Sequence, residues 1–154
     1  MTTGISHTQV AGHDAIVLEN TRTRAVSLPG LGGRVWELHD LERGVQWVWH
    51  RPGVPLALPA ADAEYDAVWS GGWEELFPND AAGAFESRTL PDHGEWWSMP
   101  WDVESTEGGS APSVRLGART SVRQCRCVKE FRLLADGAGL EARCSAERAP
   151  PASA

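Results

Sequence analysis

Two blocks of the chain, WSGGWEELFPND (69–80) and PDHGEWWSMPW (91–101), interleave indole rings, carboxylates and one histidine. Sugars offer apolar C–H faces that stack on indole, and hydroxyls that pair with charged or amide groups. Trp73 and Trp96 are the expected stacking platforms. Glu74, Asp80 and Glu95 are the expected hydroxyl partners, with Glu75, Asn79, Asp92 and His93 beside them. Gly71, Gly72 and Gly94 allow close backbone approach next to the rings, while Pro78, Pro91 and Pro100 stiffen the loops and lower the ordering cost of binding. The bland alternative is that Trp69, Trp73, Phe77, Trp97 and Trp101 only pack the loops onto a sheet. The chain has eight tryptophans against four Phe and Tyr together, so indole is in unusual demand.

Strands must position these blocks. Short runs of alternating polarity recur between Gly, Pro, Asn and Asp, and no window of a dozen residues sustains an apolar helical period. The pattern predicts strands at Ala15–Glu19, Thr23–Leu28, Arg34–Asp40, Val45–His50, Trp101–Ser105, Ser113–Arg119, Cys125–Leu134 and Gly139–Ser145. Asp40–Gly44 and Ala135–Gly139 read as hairpin turns, which favours an antiparallel sheet. Alternation in Val45–His50 places Trp47 and Trp49 on the core face. Pro52, Pro55 and Pro59 make residues 51–64 a long loop leading into the Trp69 block.

Composition sets the outer bounds. With 154 residues, 42% of them hydrophobic, the chain is read as one domain, 1–154, able to bury a core. A net charge of −7 argues against nucleic acid as a partner. Residues 1–10 have no cationic head with an apolar run, and no segment is long enough to span a bilayer, so a cytoplasmic protein with no membrane partner is expected. Cys125, Cys127 and Cys144 form an odd set. On one strand, Cys125 and Cys127 would stand about 7 Å apart, which suits neither a disulfide nor a zinc knuckle. No metal and no cofactor are expected.

Three ordered motifs resemble the aldose 1-epimerases, or galactose mutarotase-like proteins. Leu28-Pro29-Gly30-Leu31-Gly32-Gly33-Arg34-Val35 looks like that family's corner into a second strand pair. GGWEELFPND (71–80) looks like its glycine-led loop ending in Phe-Pro. PDHGEWWSMPW looks like its His-Gly turn with a Trp eight positions after the histidine. The resemblance covers nearly all of this chain and about the first half of the family's usual length. It implies an all-β fold, the antiparallel β-sandwich of the galactose mutarotase-like supersandwich, here truncated. It also implies a small-molecule sugar as partner and a site in which His93 contacts hydroxyls and assists catalysis. In that family a histidine acid and a glutamate base open and reclose the pyranose. By the resemblance both would lie beyond Ala154, so the isolated chain is expected to be inactive. A complementing C-terminal half, or a homo-oligomer, would be its protein partner. Phosphosugar relatives place an arginine after the His-Gly turn, where this chain has Trp96 and Trp97. No Arg or Lys occurs between Arg88 and Arg115, which favours a neutral aldose.

Other readings of the same residues stay open. A glycoside hydrolase could draw two carboxylates from Glu74, Glu75, Asp80, Asp92 and Glu95. A cupin-like metal site could use His93 and Glu95 with His39 or His50. A non-catalytic carbohydrate-binding or structural fragment needs no acid/base pair at all.

Overall fold

The computed structural model describes residues 3–148. Eleven strands follow in order: β1 (Gly4–Val10), β2 (His13–Glu19), β3 (Thr23–Leu28), β4 (Arg34–Asp40), β5 (Val45–Gln46), β6 (Gly83–Phe85), β7 (Arg88–Leu90), β8 (Asp102–Glu107), β9 (Ser113–Arg119), β10 (Cys125–Leu133) and β11 (Leu140–Arg148). A one-turn helix, α1 (Tyr65–Val68), and a 3-10 turn at Trp96–Ser98 interrupt the long connection between β5 and β8. β1 to β5 form one antiparallel sheet in chain order, and β11-β10-β9-β8 form a second. β6 and β7 make a separate hairpin. The fold is the expected all-β antiparallel sandwich.

Why β2 reads as an unbroken apolar run is clear from its two faces. Ile16 and Leu18 enter the core between the sheets, while Ala15 and Val17 join Val26, Leu28 and Leu31 in a second cluster on the other side. The proline-rich loop covers that second side through Leu56, whose carbonyl lies 3.0 Å from His13 Nε2. β10 alternates instead. Cys125, Cys127, Lys129, Phe131 and Leu133 are buried on the inner face, and on the outer face Arg126, Glu130 and Arg132 join a network of ion pairs around a buried Val128. Trp96 and Trp101 close the core from the β7–β8 connection, their rings 5.3 Å apart and edge to face.

Lys129, the chain's only lysine, is fully buried at an inward position of β10. Its ammonium donates to the Gly32 carbonyl at 3.0 Å, pairs with Glu75 at 2.9 Å, and lies 4.7 Å from the Trp101 ring centre. The Gly30–Gly33 corner therefore docks on both β10 and the tryptophan turn. Gly32 has φ +76, and a Cβ there would sit 2.5 Å from the Trp97 carbonyl oxygen, so the close approach requires glycine.

Several expectations are corrected. β5 ends at Gln46, and Trp47 and Trp49 are 64% and 58% exposed rather than core. The cause is the Gln46 side chain, whose oxygen accepts from the Leu38 and Val48 amides and takes the place of a strand ladder. β1 and the β6–β7 hairpin have no counterpart in the expected strands, and β11 runs on to Arg148. The turn and linker composition of residues 147–154 lies, from residue 149, outside the described residues. All three cysteines are free thiols. No helix among the described residues is long and apolar enough to cross a membrane.

Removing one partner of a buried pair strands the other charge. Lys129→Ala is expected to lower unfolding free energy by about 3–5 kcal/mol. Lys129→Met with Glu75→Leu is expected to recover most of that loss, because both charges are then gone. Urea denaturation followed by tryptophan fluorescence measures both.

Candidate functional site

The two sequence blocks zip together backbone to backbone. Glu95 N–H donates to the Phe77 carbonyl at 2.7 Å, and His93 N–H donates to the Asp80 carbonyl at 2.8 Å. Gly94 makes this possible: at φ +73, a Cβ would lie 2.1 Å from the Phe77 carbonyl oxygen. His93 itself has φ +58, in the left-handed region that non-glycine residues seldom adopt. Strain of this kind persists where surrounding contacts fix it and is concentrated at functional sites.

Those contacts are specific. The His93 ring stacks on Tyr65 with centres 3.9 Å apart and 7° between planes. Its Nδ1 lies 2.9 Å from Asp92 Oδ1. Asp92 Oδ2 accepts the Tyr65 backbone N–H at 2.8 Å, so one carboxylate holds both α1 and the imidazole. Trp97 is buried, contacts Tyr65 edge-on at 4.8 Å, and donates its indole N–H to the Asp92 carbonyl. The Asp92 carboxyl is held below its ordinary range, first by the Tyr65 amide and then by His93. With Asp92 as acceptor, Nδ1 carries the proton in the neutral ring, and Nε2 is the free lone pair. Nε2 has no hydrogen-bond partner among the described residues, and the side chain is 27% exposed.

Below the histidine the Tyr65 hydroxyl donates to Glu74 Oε1 at 3.0 Å. Glu74 Oε2 meets the Arg34 guanidinium at 3.2 Å, with both side chains almost completely buried. Burial pushes the Glu74 carboxyl above its ordinary value, against the lowering pull of Arg34 and the tyrosine hydroxyl. Burial, then the Glu74 charge, raises the Tyr65 hydroxyl as well. Arg34 also donates to the Leu31 and Gly71 carbonyls and to Ser70 Oγ, tying β4 to the glycine-led loop.

The structure distributes the sequence-predicted residues unevenly. His93 and Glu74 belong to one connected network through Tyr65. Trp73 bridges to Val35 of β4 and is 38% exposed, so a ring face can meet a ligand. Asp80 is exposed, its carboxylate accepting the Ala81 amide and its carbonyl the His93 amide. Glu95 turns inward: one oxygen accepts the Ser121 amide at 2.7 Å and the Ser121 hydroxyl at 2.6 Å, and the Val122 amide adds a further bond. Trp96 is also internal, its indole N–H directed at Cys127 Sγ and its ring packed against Phe77 and Trp101. A ligand at His93 does not meet the Trp96 ring face.

Tyr65 and Arg34 were not foreseen as site residues, and only their scarcity or position hints at them: one tyrosine in the chain, one arginine closing the Gly-Gly corner. A separate open cleft of about 990 Å³ has Asp92, Glu95 and Arg119 in its wall, but not His93, Trp73 or Glu74. Among the described residues no group of three or more His, Cys, Asp or Glu could hold a metal ion.

Three comparisons bear on this geometry. No family model matches the chain, and no curated protein does. Solved structures do. The mutarotase-assigned protein YeaD of Salmonella typhimurium superposes with a TM-score of 0.65 at 17% identity, over 93% of this chain and 48% of that one. A galactose mutarotase-like protein of Clostridium acetobutylicum gives 0.59 at 17%, over 91% and 47%. The fold is galactose mutarotase-like. A 4-alpha-glucanotransferase of Thermococcus litoralis gives 0.55 at 20% identity, over 96% of this chain and 25% of that one. The chain spans about half the length of the mutarotase-like structures it matches.

The Asp92 anchor has a definite pH dependence. A carboxyl with a depressed folded pKa contributes stability above its unfolded value, about 3.9, and that contribution is lost as pH falls through the folded value. Wild type is expected to exceed Asp92→Asn in urea midpoint near neutrality, with the margin closing below about pH 4. Denaturation series at several pH values check this.

Proposed function

We propose that this chain carries the sugar-holding part of an aldose 1-epimerase-type site, centred on His93. The observation that supports it most is the imidazole itself. It is stacked on Tyr65 and anchored through Nδ1 to Asp92, leaving an unpartnered Nε2 on a partly exposed side chain. In that form Nε2 accepts a hydrogen bond from a sugar hydroxyl, and once protonated it donates one. Trp73 offers an exposed indole for a C–H face, and Asp80 an exposed carboxylate for hydroxyls.

Mutarotation moves two protons: one leaves the anomeric hydroxyl, one reaches the ring oxygen, and the open aldehyde turns about C1–C2 before reclosing. His93 contacts the hydroxyls and assists these transfers from its position. We assign both the acid and the base to a complementing C-terminal half, so the 154-residue chain by itself binds without turnover. Glu95 and Trp96 then act behind the site, by holding the 121–122 turn and filling the core.

A neutral aldose fits better than a phosphosugar. The buried cations of this region, Arg34 and Lys129, already face Glu74 and Glu75. Arg51 pairs with no carboxylate among the described residues, but its guanidinium donates to the Asp66 carbonyl, a contact a phosphate would have to displace.

Titrating tryptophan fluorescence with glucose and galactose is expected to give a saturable change, with His93→Ala and Trp73→Ala each weakening binding about ten-fold. Trp47→Ala is expected to leave it unaltered, since Trp47 lies beside Leu38 and Gly139 in a different cavity. Absence of any response to every aldose would sink the proposal. Polarimetry on freshly dissolved α-anomers separates the two roles. An unchanged rate is expected here, and an accelerated one would show that an acid/base pair lies within this chain.

A further inference from the structure

Among the described residues β11 has a hydrogen-bonded neighbour, β10, on one side only. Open edges of this kind template pairing unless they are short, bulged, interrupted by Pro, or blunted by charge, Lys above all. β5 is two residues long, and β8 is interrupted by a register shift at Val103/Ser105. β11 is different: nine residues in unbroken register with β10, no Lys, no Pro, its four charges (Glu141, Arg143, Glu147, Arg148) balanced in sign, and exposed from Arg143 to Arg148. β1 is also a regular edge, but His7 is its only titratable side chain, so its charges select no partner.

The two faces of β11 point to what pairs with it. Ala142, Cys144 and Ala146 stand opposite buried Phe131, Lys129 and Cys127, so they occupy the core-facing side, yet Cys144 and Ala146 are uncovered. Glu141, Arg143, Ser145 and Glu147 occupy the outer side. We infer that β11 pairs antiparallel with β11 of a second copy of this chain, about a two-fold axis through Ser145, joining the two four-stranded sheets into one.

Charge selects that register. With Ser145 opposite its own counterpart, Arg143 faces Glu147 of the second copy, and symmetry repeats the pair. Cys144 then faces Ala146 on the core side, which extends the small apolar stripe across the axis. Centring on Cys144 opposes Glu141 to Glu147, and centring on Arg143 opposes it to itself; like charges directly opposite are destabilising. Centring on Ala142 is also charge-matched, through Glu141 and Arg143, but uses the half-buried start of the strand and leaves the exposed end unpaired. The symmetry is the isologous kind that most homodimers use.

Sedimentation of the 154-residue chain over a micromolar concentration series, with site-directed cross-linking, tests this. Residues facing each other across a two-fold antiparallel pair stand about 4.5–5.5 Å apart at Cα, within disulfide range. Ser145→Cys in a Cys144→Ser background is expected to give a covalent dimer on mild oxidation. Glu141→Cys in the same background is expected to stay monomeric on a non-reducing gel, since the two copies of residue 141 are eight positions apart in register. Both variants alter exposed or half-buried positions of one strand, and circular dichroism confirms that they fold. A chain that stays monomeric at every concentration overturns the inference and leaves the edge to a different polypeptide. A dimer that cross-links through residue 141, or through neither position, overturns it too.

Discussion

A single ammonium group organises this molecule. Lys129, on the second sheet, sits where the Gly30–Gly33 corner, the Glu75 loop and the tryptophan turn converge, and each contributes a contact to it: the Gly32 carbonyl, the Glu75 carboxylate, and the Trp96 and Trp101 rings. Burying a charge costs several kcal/mol, so Nζ must be met on every side. That requirement fixes the relative positions of elements far apart in sequence. The rest of the core, built from Ile16, Leu18, Val114, Leu116 and Phe131, is non-directional and would tolerate sliding; the lysine does not.

From there the constraint passes to the site through two neighbouring carboxylates that diverge. Glu75 turns to Lys129 on the second sheet, and Glu74 turns to Arg34 on the first. The loop between Trp69 and Phe77 is therefore pinned from both sheets at adjacent residues. Buried ion pairs contribute little net stability but are costly to half-break, so they resist displacement more than they strengthen the fold. Phe77 and Asp80, at the far end of the pinned loop, then accept the amides of Glu95 and His93. The histidine's position is thus inherited from the core by way of backbone hydrogen bonds, and its ring orientation from Tyr65 and Asp92.

Much of the sheet framework is legible in the sequence because alternation and turn residues agree. Thr23–Leu28, Arg34–Asp40 and Ser113–Arg119 have the expected bounds, and the Asp40–Gly44 turn has Gly44 at φ +64. Legibility fails where side chains replace the regular backbone pattern. Trp47 and Trp49 alternate as core residues should, but a glutamine amide ends their strand. β1 escapes notice because Ser, His, Thr and Gln dilute its polarity pattern. Within the 91–101 block, acids and rings look alike whether they face in or out. What turns Glu95 inward is a pair of amides at 121–122, 26 residues away, with no local signature. Lys129 was the clearest missed signal, a lone lysine at an apolar position of an alternating strand.

Half the length of its structural neighbours, the chain still closes a core of its own. Trp96 and Trp101 seal one side between the sheets, and the 51–64 loop covers the outer face of β2 and β3 through Leu56. The packing that holds His93 therefore lies within these residues. Apolar surface is still left uncovered. Trp47, Trp49 and Trp73 lie on the connections around β5, and Cys144 and Ala146 on the β11 edge, all outside the sealed core. Indole in water is expensive, at roughly 25 cal/mol for each Å² of apolar surface, so these exposed rings and this edge are where a ligand or another chain would gain most by binding.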